Sequence, residues 1–369
     1  MRGRDGAVAF RQMLPALLAS RLLWFAVFIA VALIDMPGTS PLAGIRTQLL
    51  SWDARSYVDI ATAGYPAHFD YHDAFLPGYP LLIASVTAVT RDAVVAGWLV
   101  SLVAQGIALW YIARLVSAER DRDAATFSVW IIALAPTALF FVALYTESPF
   151  VAAAAASLYH ARRGNARAAA IAAAIACAIR LTGIALLPAL LIEQLAPVRA
   201  RRASRLRWLL VVPAPLLAYG VYMQLRVGDA LALVHAQQLP SFGHAPAFPW
   251  SGLVTTWHAM SGAASGEMRS IFAREIAFGL LGLVACIAMW VSPRIPRSFA
   301  LYCTLAWLLT ASLTYWRSEP RYDLALFPAV LVAVDLTARV RALRPAVLAA
   351  SGALMCAGVS IYASGRWLG

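Results

Sequence analysis

The chain has 369 residues, a mean hydropathy of +0.72, 62% hydrophobic residues and 30 basic against 18 acidic side chains. That much apolar surface cannot be buried in one soluble core, and the continuous Ala- and Leu-rich runs exclude a transmembrane barrel, whose strands alternate apolar and polar positions. Every basic residue is Arg, collected between apolar runs, which is how loop charges flank membrane helices and not how a nucleic-acid surface is laid out.

The N-terminal MRGRDGAVAFRQ and its apolar continuation have the outline of a signal peptide. No small-residue cleavage site is evident and Trp24 to Leu33 prolongs the run, so the segment reads as an uncleaved first span. Further spans are expected at 93–115, 124–143, 147–161, 167–181, 182–195, 208–226, 272–291, 298–315, 321–337 and 344–362, after the first at 14–34. The chain thus reads as a single all-α domain, a polytopic transmembrane helical bundle of about eleven spans. Two larger polar segments interrupt it, at 35–92 and 227–271. Cys177, Cys286, Cys303 and Cys356 each sit alone in an apolar run and read as packing residues.

The apolar run Phe75 to Val89 decides which side every later segment faces. It is short and opens with Pro77, Gly78 and Pro80, so it reads as a juxtamembrane helix and not as a span. With that reading the Arg groups at 2–11, 162–167, 199–207, 294–297 and 339–344 all fall on the cytoplasmic side, together with the N-terminus. The polar turns, including the long loop 227–271 with its amphipathic pieces, then share the opposite face.

Four groups on that face could carry chemistry. Asp53, in the stretch SWDARSYVDIATAGYPAHFDYHDAFLPGYP that begins at Ser51, is an acid just outside a span and is suited to accept a proton from a hydroxyl; the alternative is helix capping. His68, Asp70, His72 and Asp73 are weak candidates for a divalent cation, the alternative being a loop that hydrogen-bonds locally. Glu147 stands at a membrane boundary, where it serves either function or the positive end of the helix beginning there. Arg180 and Arg321 have the planar guanidinium that holds phosphate oxygens in pairs; alternatively they snorkel or pair with Glu147 or Glu319. Nucleotide-binding loops, a GxSxG elbow and zinc signatures are absent from the sequence, which argues against ATP-driven transport.

In order along the chain, WDARSYVDIATAGY, FLPGYPLLI, LYTESPF, IRLTGI and EPRYDLALFP resemble the motifs of the GT-C superfamily of integral-membrane glycosyltransferases, most closely the PIG-V-like (GPI mannosyltransferase II type) branch. The resemblance covers roughly residues 14–335. It implies a GT-C type bundle with juxtamembrane helices in the first outer loop. It further implies inverting transfer of a sugar, mannose by default, from a polyprenyl-phosphate donor to a lipid, glycan or protein acceptor on the non-cytoplasmic face. Asp53 and Glu147 would match the family's acidic loop residues, and Arg180 and Arg321 its motif arginines. Chemical type then suggests the two arginines for the donor phosphate; Arg55, Tyr57, Tyr79, Glu319 and Tyr322 are further candidates, for the acceptor or another role in the site. Where the family often has a His or aromatic pair after WD, this chain has Ala54-Arg55-Ser56-Tyr57. The Ala/Arg-rich, Lys-free composition points to a bacterial inner membrane. A lipid transporter or flippase, and a non-catalytic membrane subunit, are the alternative functions.

Overall fold

The computed structural model describes residues 2–35, 40–195 and 205–368, so residues 199–204 of the expected 199–207 Arg group lie outside the described residues. Helices α1 (Arg2–Asp35), α2 (Pro41–Leu49), α3 (Asp53–Ala63), α4 (Gly78–Thr90), α5 (Ala93–Glu119) and α6 (Arg122–Ala133) form the first part. α7 (Glu147–Arg162), α8 (Ala166–Ile179), α9 (Leu186–Leu195), α10 (Ala214–Val227), α11 (Ala232–Ala236) and α12 (Pro249–Ser261) follow. α13 (Gly266–Val291), α14 (Arg297–Ala311), α15 (Glu319–Tyr322), α16 (Val330–Thr337) and α17 (Arg344–Ala363) complete the bundle. Short polar side chains start several helices by accepting open backbone N–H groups: Asp92 from Val94 at 2.9 Å, Asp121 from Ala124 at 2.7 Å and Asn165 from Ala168 at 3.1 Å. The only sheet-like pairing among the described residues joins Pro246 to Leu313.

Five helical segments are long and apolar enough to cross a bilayer: Asp5–Asp35, Ala93–Glu119, Arg207–Val227, Gly266–Val291 and Arg341–Ala363. The other expected spans are shorter or broken, and the breaks have local causes. Pro136 separates α6 from a single 3₁₀ turn at Ala138–Phe141. Pro328 lies in the 3₁₀ stretch that precedes α16. The expected span 167–181 ends two residues early, at Ile179, because Arg180 takes extended backbone angles and a 3₁₀ turn follows at Leu181–Ala185.

α7 is the core of the bundle. Almost every residue from Glu147 to Leu158 is buried, and the Ala152–Ala156 run lets α5 and α8 pack closely on either side. Arg21 of α1 is buried in the same region, donating to Gln105 Oε1 at 2.8 Å and to the Phe141 carbonyl at 2.9 Å, which ties α1 to α5 and to the turn before α7.

Charged contacts sort the helix ends. At one end Arg162 pairs with Glu119 at 2.7 Å, Arg120 with Asp335 at 2.8 Å and Arg344 with Asp123 at 2.5 Å, while Gln12 donates to the Arg122 carbonyl at 2.8 Å. Arg120 also donates to the Arg294 carbonyl at 3.1 Å, just before α14, so the Arg-bearing ends of α7, α14 and α17 lie together with the N-terminal half of α1. At the other end Ser364 bonds Asp35 at 2.9 Å, Arg46 pairs with Asp92 at 2.5 Å and Arg274 donates to the Trp367 carbonyl at 3.0 Å. The last described residues thus return to the end that carries Asp53.

α4 is 13 residues long, about 20 Å, and doubles back along the first turns of α5. Its Tyr79 hydroxyl meets Ser101 at 3.3 Å, and its last turn leads into Asp92. Its first residue, Gly78, lies against the Ala178 carbonyl of α8.

The 3₁₀ turn after Arg180 is similarly tight: a Cβ on Gly183 would stand 2.5 Å from the Cys177 backbone nitrogen. Backbone cannot give way as a side-chain tip does. Gly183→Ala is therefore expected to destabilise the protein by about 1–3 kcal/mol, read as a lower midpoint of thermal unfolding in detergent.

Candidate active site

Asp53 is the first residue of α3. The residue before it, Trp52, has φ 60° and ψ −134°, a left-handed-side conformation that a bulky residue adopts only when held. Its indole packs edge-on against Trp367, with ring centres 4.7 Å apart. Across the cavity, Ser318 has φ 69° just before α15, and the Glu275 carboxylate accepts the next backbone N–H, that of Glu319, at 2.8 Å. Two constrained turns thus aim the two short segments that bear Asp53 and Arg321.

Those two side chains meet. Arg321 donates from Nη1 to Asp53 Oδ2 at 2.6 Å, and its Nε lies 2.9 Å from Glu147 Oε1 as an ion pair. Glu147 Oε1 also accepts from Arg180, whose Nη1 reaches Thr146 Oγ1 at 3.3 Å. Two carboxylates and two guanidiniums so form one chain of contacts, Asp53–Arg321–Glu147–Arg180. Tyr322 lies beneath both cations, 5.0 Å from Arg180 and 5.4 Å from Arg321. Burial grades along the chain, the side chain of Asp53 being 20% exposed and that of Glu147 2%. The capping alternative for Asp53 is not adopted, since its Oδ2 goes to Arg321; its Oδ1 takes no hydrogen bond among the described residues.

A cavity of about 940 Å³ opens onto this network. Asp53, Arg55, Tyr57, Arg180, Arg321 and Tyr322 line it, whereas Glu147 sits behind the arginines as their shared anion. One wall is apolar, with Leu181, Ile184 and Pro188 after Arg180 and Leu305, Leu308 and Leu309 on α14. Leu181 and Leu309 are 41% and 39% exposed, so this wall continues to the outer surface of the bundle. The other end is polar and aromatic. Arg317 stacks on Trp367 at 5.0 Å, and neither Arg317 nor Arg55 has a carboxylate partner among the described residues.

The remaining sequence candidates lie elsewhere. Tyr79 is buried under Tyr57, ring centres 5.1 Å apart, and does not reach the cavity. Glu319 is fully buried and likewise does not line it. His68 is exposed. Asp70 caps the turn Tyr71–Ala74 and bonds His72 Nδ1 at 2.9 Å, while Asp73 pairs with Arg226 and its carbonyl accepts from Tyr219 at 2.9 Å. These residues shape the first loop and fasten it to α10. Among the described residues no group of three or more His, Cys, Asp or Glu is placed to hold a metal ion.

His244, Arg317 and Trp367 are site residues that sequence reasoning passed over. The composition of HAQQLPSFGHAPAFPW marked the loop, but not which residue in it faces Asp53. The segment is stitched to the chain before α15: Thr314 N–H donates to the Ala245 carbonyl at 2.9 Å and Ala247 N–H to that of Ser312 at 3.0 Å. His244, 5% exposed, packs on Tyr315 with ring centres 4.8 Å apart and lines the cavity. Burial, reinforced by Arg317, lowers its pKa to about 4. Burial likewise raises the Tyr57 phenol, which stays protonated and available as a donor.

Residues 40–201, a little under half of the chain, match the family model for mannosyltransferase (PIG-V), bearing out the resemblance read from the ordered motifs; EPRYDLALFP lies beyond the match. Over 94% of its length the chain superposes, at 12% identity and a TM-score of 0.52, on the oligosaccharyltransferase of Archaeoglobus fulgidus in complex with Zn and sulfate, of which it covers 53%. ArnT from Cupriavidus metallidurans bound to undecaprenyl phosphate is also similar, at 13% identity and a TM-score of 0.43, over 95% of this chain and 75% of that one. The chain spans about half the length of the oligosaccharyltransferase it matches, and the likeness is one of fold. No curated protein matches it. The fold is thus that of an all-α integral membrane protein of GT-C type.

Two outcomes test the geometry. Arg321→Ala leaves two acids with one cation and is expected to cost about 3–5 kcal/mol, against ~0.5 kcal/mol or less for Arg55→Ala, compared as unfolding midpoints of the purified proteins. His244 binds its proton more weakly folded than unfolded. Its contribution to stability is therefore full above about pH 6.5 and is lost as pH falls toward about 4, where the folded form also protonates. His244→Gln is expected to remove up to about 3 kcal/mol of the wild-type decline over that window, measured as unfolding midpoint against pH.

Proposed function

We propose that this chain is a membrane glycosyltransferase, with mannose as the default sugar, that uses a polyprenyl-phosphate donor and inverts the anomeric centre. The observation that carries the reading is the continuity of one cavity from the Asp53–Arg321–Glu147–Arg180 network to an apolar wall that reaches the outer surface of the bundle. A donor with a charged phosphate beside a long apolar chain fits that pairing of surfaces, and the cavity volume is at the upper end of ordinary ligand sites. The match of residues 40–201 to the PIG-V mannosyltransferase family supports the reaction class and the sugar.

In the proposed reaction Asp53 Oδ1 takes the proton of the acceptor hydroxyl. The acceptor oxygen attacks the anomeric carbon from the face opposite the phosphate. A new C–O bond forms while the bond from that carbon to the phosphate oxygen breaks, its electron pair leaving with polyprenyl phosphate. Arg180, beside the apolar wall, faces the charge that grows on the leaving group, where electrostatic stabilisation contributes most. Glu147 fixes both guanidiniums and is a positioning residue. Arg321 holds Asp53 Oδ2, so that the other oxygen is presented in one orientation.

Acceptor binding falls to the opposite end, where Trp52, Trp367, Arg55 and Arg317 offer indole faces and donors suited to a carbohydrate or other polar lipid head group. The Arg-rich helix ends lie at the other end of the bundle, which supports a cytoplasmic N-terminus and an active site on the non-cytoplasmic face, periplasmic in a bacterial inner membrane.

Purified protein supplied with radiolabelled polyprenyl-phosphate mannose and mixed membrane lipids is expected to form labelled product whose new linkage has the opposite anomeric configuration to the donor. Asp53→Asn is expected to lower turnover at least ~100-fold with the unfolding midpoint retained. Full activity in that variant removes Asp53 from the mechanism, and no transfer from any polyprenyl-phosphate sugar overturns the donor class.

A further inference from the structure

A second cavity, of about 210 Å³, lies at the far end of the bundle from Asp53. Arg114, Arg122 and Arg163 line it, with Ser117, Tyr159 and one acid, Asp5. Arg114 is clamped between two rings, its guanidinium carbon 4.4 Å from the centres of both Trp110 and Tyr159. Arg163 approaches the same Tyr159 ring at 6.0 Å. Trp110 donates from its indole to the Gly6 carbonyl at 3.0 Å, so the first turns of α1 form part of the wall.

What sets this cluster apart is that three arginines without a carboxylate partner among the described residues converge on one cavity. Several arginines at this end are matched to carboxylates, Arg120 to Asp335, Arg162 to Glu119 and Glu193, Arg341 and Arg344 to Asp123, while Arg167 lies on the Trp208 ring and Arg297 bonds the Trp290 carbonyl, away from this cavity. Among the described residues Arg114, Arg122 and Arg163 have no carboxylate within ion-pair distance, and none of their side chains donates a hydrogen bond to the protein. Arg114 Nε is covered without a partner. Loop arginines that only orient a membrane helix have no need to converge on a cavity, nor does one of them need a two-ring clamp. Three guanidiniums around a space of this size, at an Arg-rich end of a membrane helix, suit a phosphate that arrives from the membrane.

We propose that this cavity binds the phosphate of an anionic lipid head group, at a site separate from the catalytic cavity. The occupant is a phosphodiester or phosphomonoester lipid, with Arg114 as the fixed contact and Arg122 and Arg163 closing over the oxygens. Zwitterionic lipids present a cation beside the phosphate and meet three guanidiniums unfavourably.

The full chain, purified and delipidated in a neutral detergent, is titrated with dioleoyl phosphatidylglycerol, with dioleoyl phosphatidylcholine and with inorganic phosphate, and occupancy is read by native mass spectrometry. The wild-type protein is expected to bind phosphatidylglycerol at least tenfold more tightly than phosphatidylcholine. Arg114→Ala risks unpacking the ring clamp, so the decisive variant is Arg122→Gln with Arg163→Gln, whose side chains donate no hydrogen bond among the described residues. With the unfolding midpoint unchanged, it is expected to lose at least tenfold in phosphatidylglycerol affinity and none for phosphatidylcholine. Equal affinity for the two lipids, or undiminished phosphatidylglycerol binding by the variant, overturns the proposal. Full displacement by equimolar inorganic phosphate overturns the lipid assignment in favour of a soluble anion. Transfer activity does not enter the readout, so this outcome is independent of the proposed reaction.

Discussion

Arg321 is the joint on which the site depends. Its guanidinium is 7% exposed and lies between Asp53, 268 residues away in the chain, and Glu147 at the head of the most buried helix. A buried cation is tolerable only when anions surround it, and buried anions only when cations do, so loss of Arg321 or Glu147 is costly, while Asp53, the more exposed member, can be neutralised with least penalty. Because Glu147 is anchored in α7, the set fixes the depth and direction of α3 and α15 relative to the core. The exposed member, Asp53, is thereby presented to the cavity by residues that are themselves immobile.

The same logic of matched charge runs through the opposite end of the bundle, with a different result. There the ion pairs Arg120–Asp335, Arg162–Glu119 and Arg344–Asp123 link helix ends that are distant in sequence and hold the bundle in register. Such pairs contribute modestly where solvent reaches them and more where helices shield them. Between the two ends the packing is carried by small residues: the alanines of α7 and α8 bring backbones close enough for dispersion to hold them without a hydrophobic driving force from water.

Loops finish the site. The 237–247 segment is bonded to residues 312–315, and Asp73 is bonded to Arg226 and Tyr219, so both large polar segments are closed onto helices and onto each other's neighbours. Strained angles at Trp52 and Ser318 are held by these contacts, through Trp367 in one case and Glu275 in the other. Strain concentrated beside the Asp53–Arg321 contact is a sign that position there matters more than local comfort.

Much of this was legible in the chain itself. Hydropathy and the continuity of the apolar runs determine an all-α membrane bundle, because only helices and closed barrels satisfy backbone hydrogen bonds in lipid and these runs lack a barrel strand's alternation. The Arg distribution determines that the N-terminus and the Arg-rich loops share one end, since charge placement follows position along the chain and needs no tertiary contact. The ordered motifs also marked Asp53, Glu147, Arg180 and Arg321. Their placement was decided only by the fold: Asp53 lines the cavity, Glu147 lies behind it, and Tyr79, Glu319 and the candidates His68, Asp70, His72 and Asp73 do not line it. Helix breaks at Pro136, Arg180 and Pro328 shortened the expected spans, because whether an apolar run continues as one helix depends on what its backbone meets. His244, Arg317 and Arg226 had no readable signal. Each owes its place to a partner far away in the sequence, and burial beside a distant charge is a property of packing in three dimensions that no local pattern encodes.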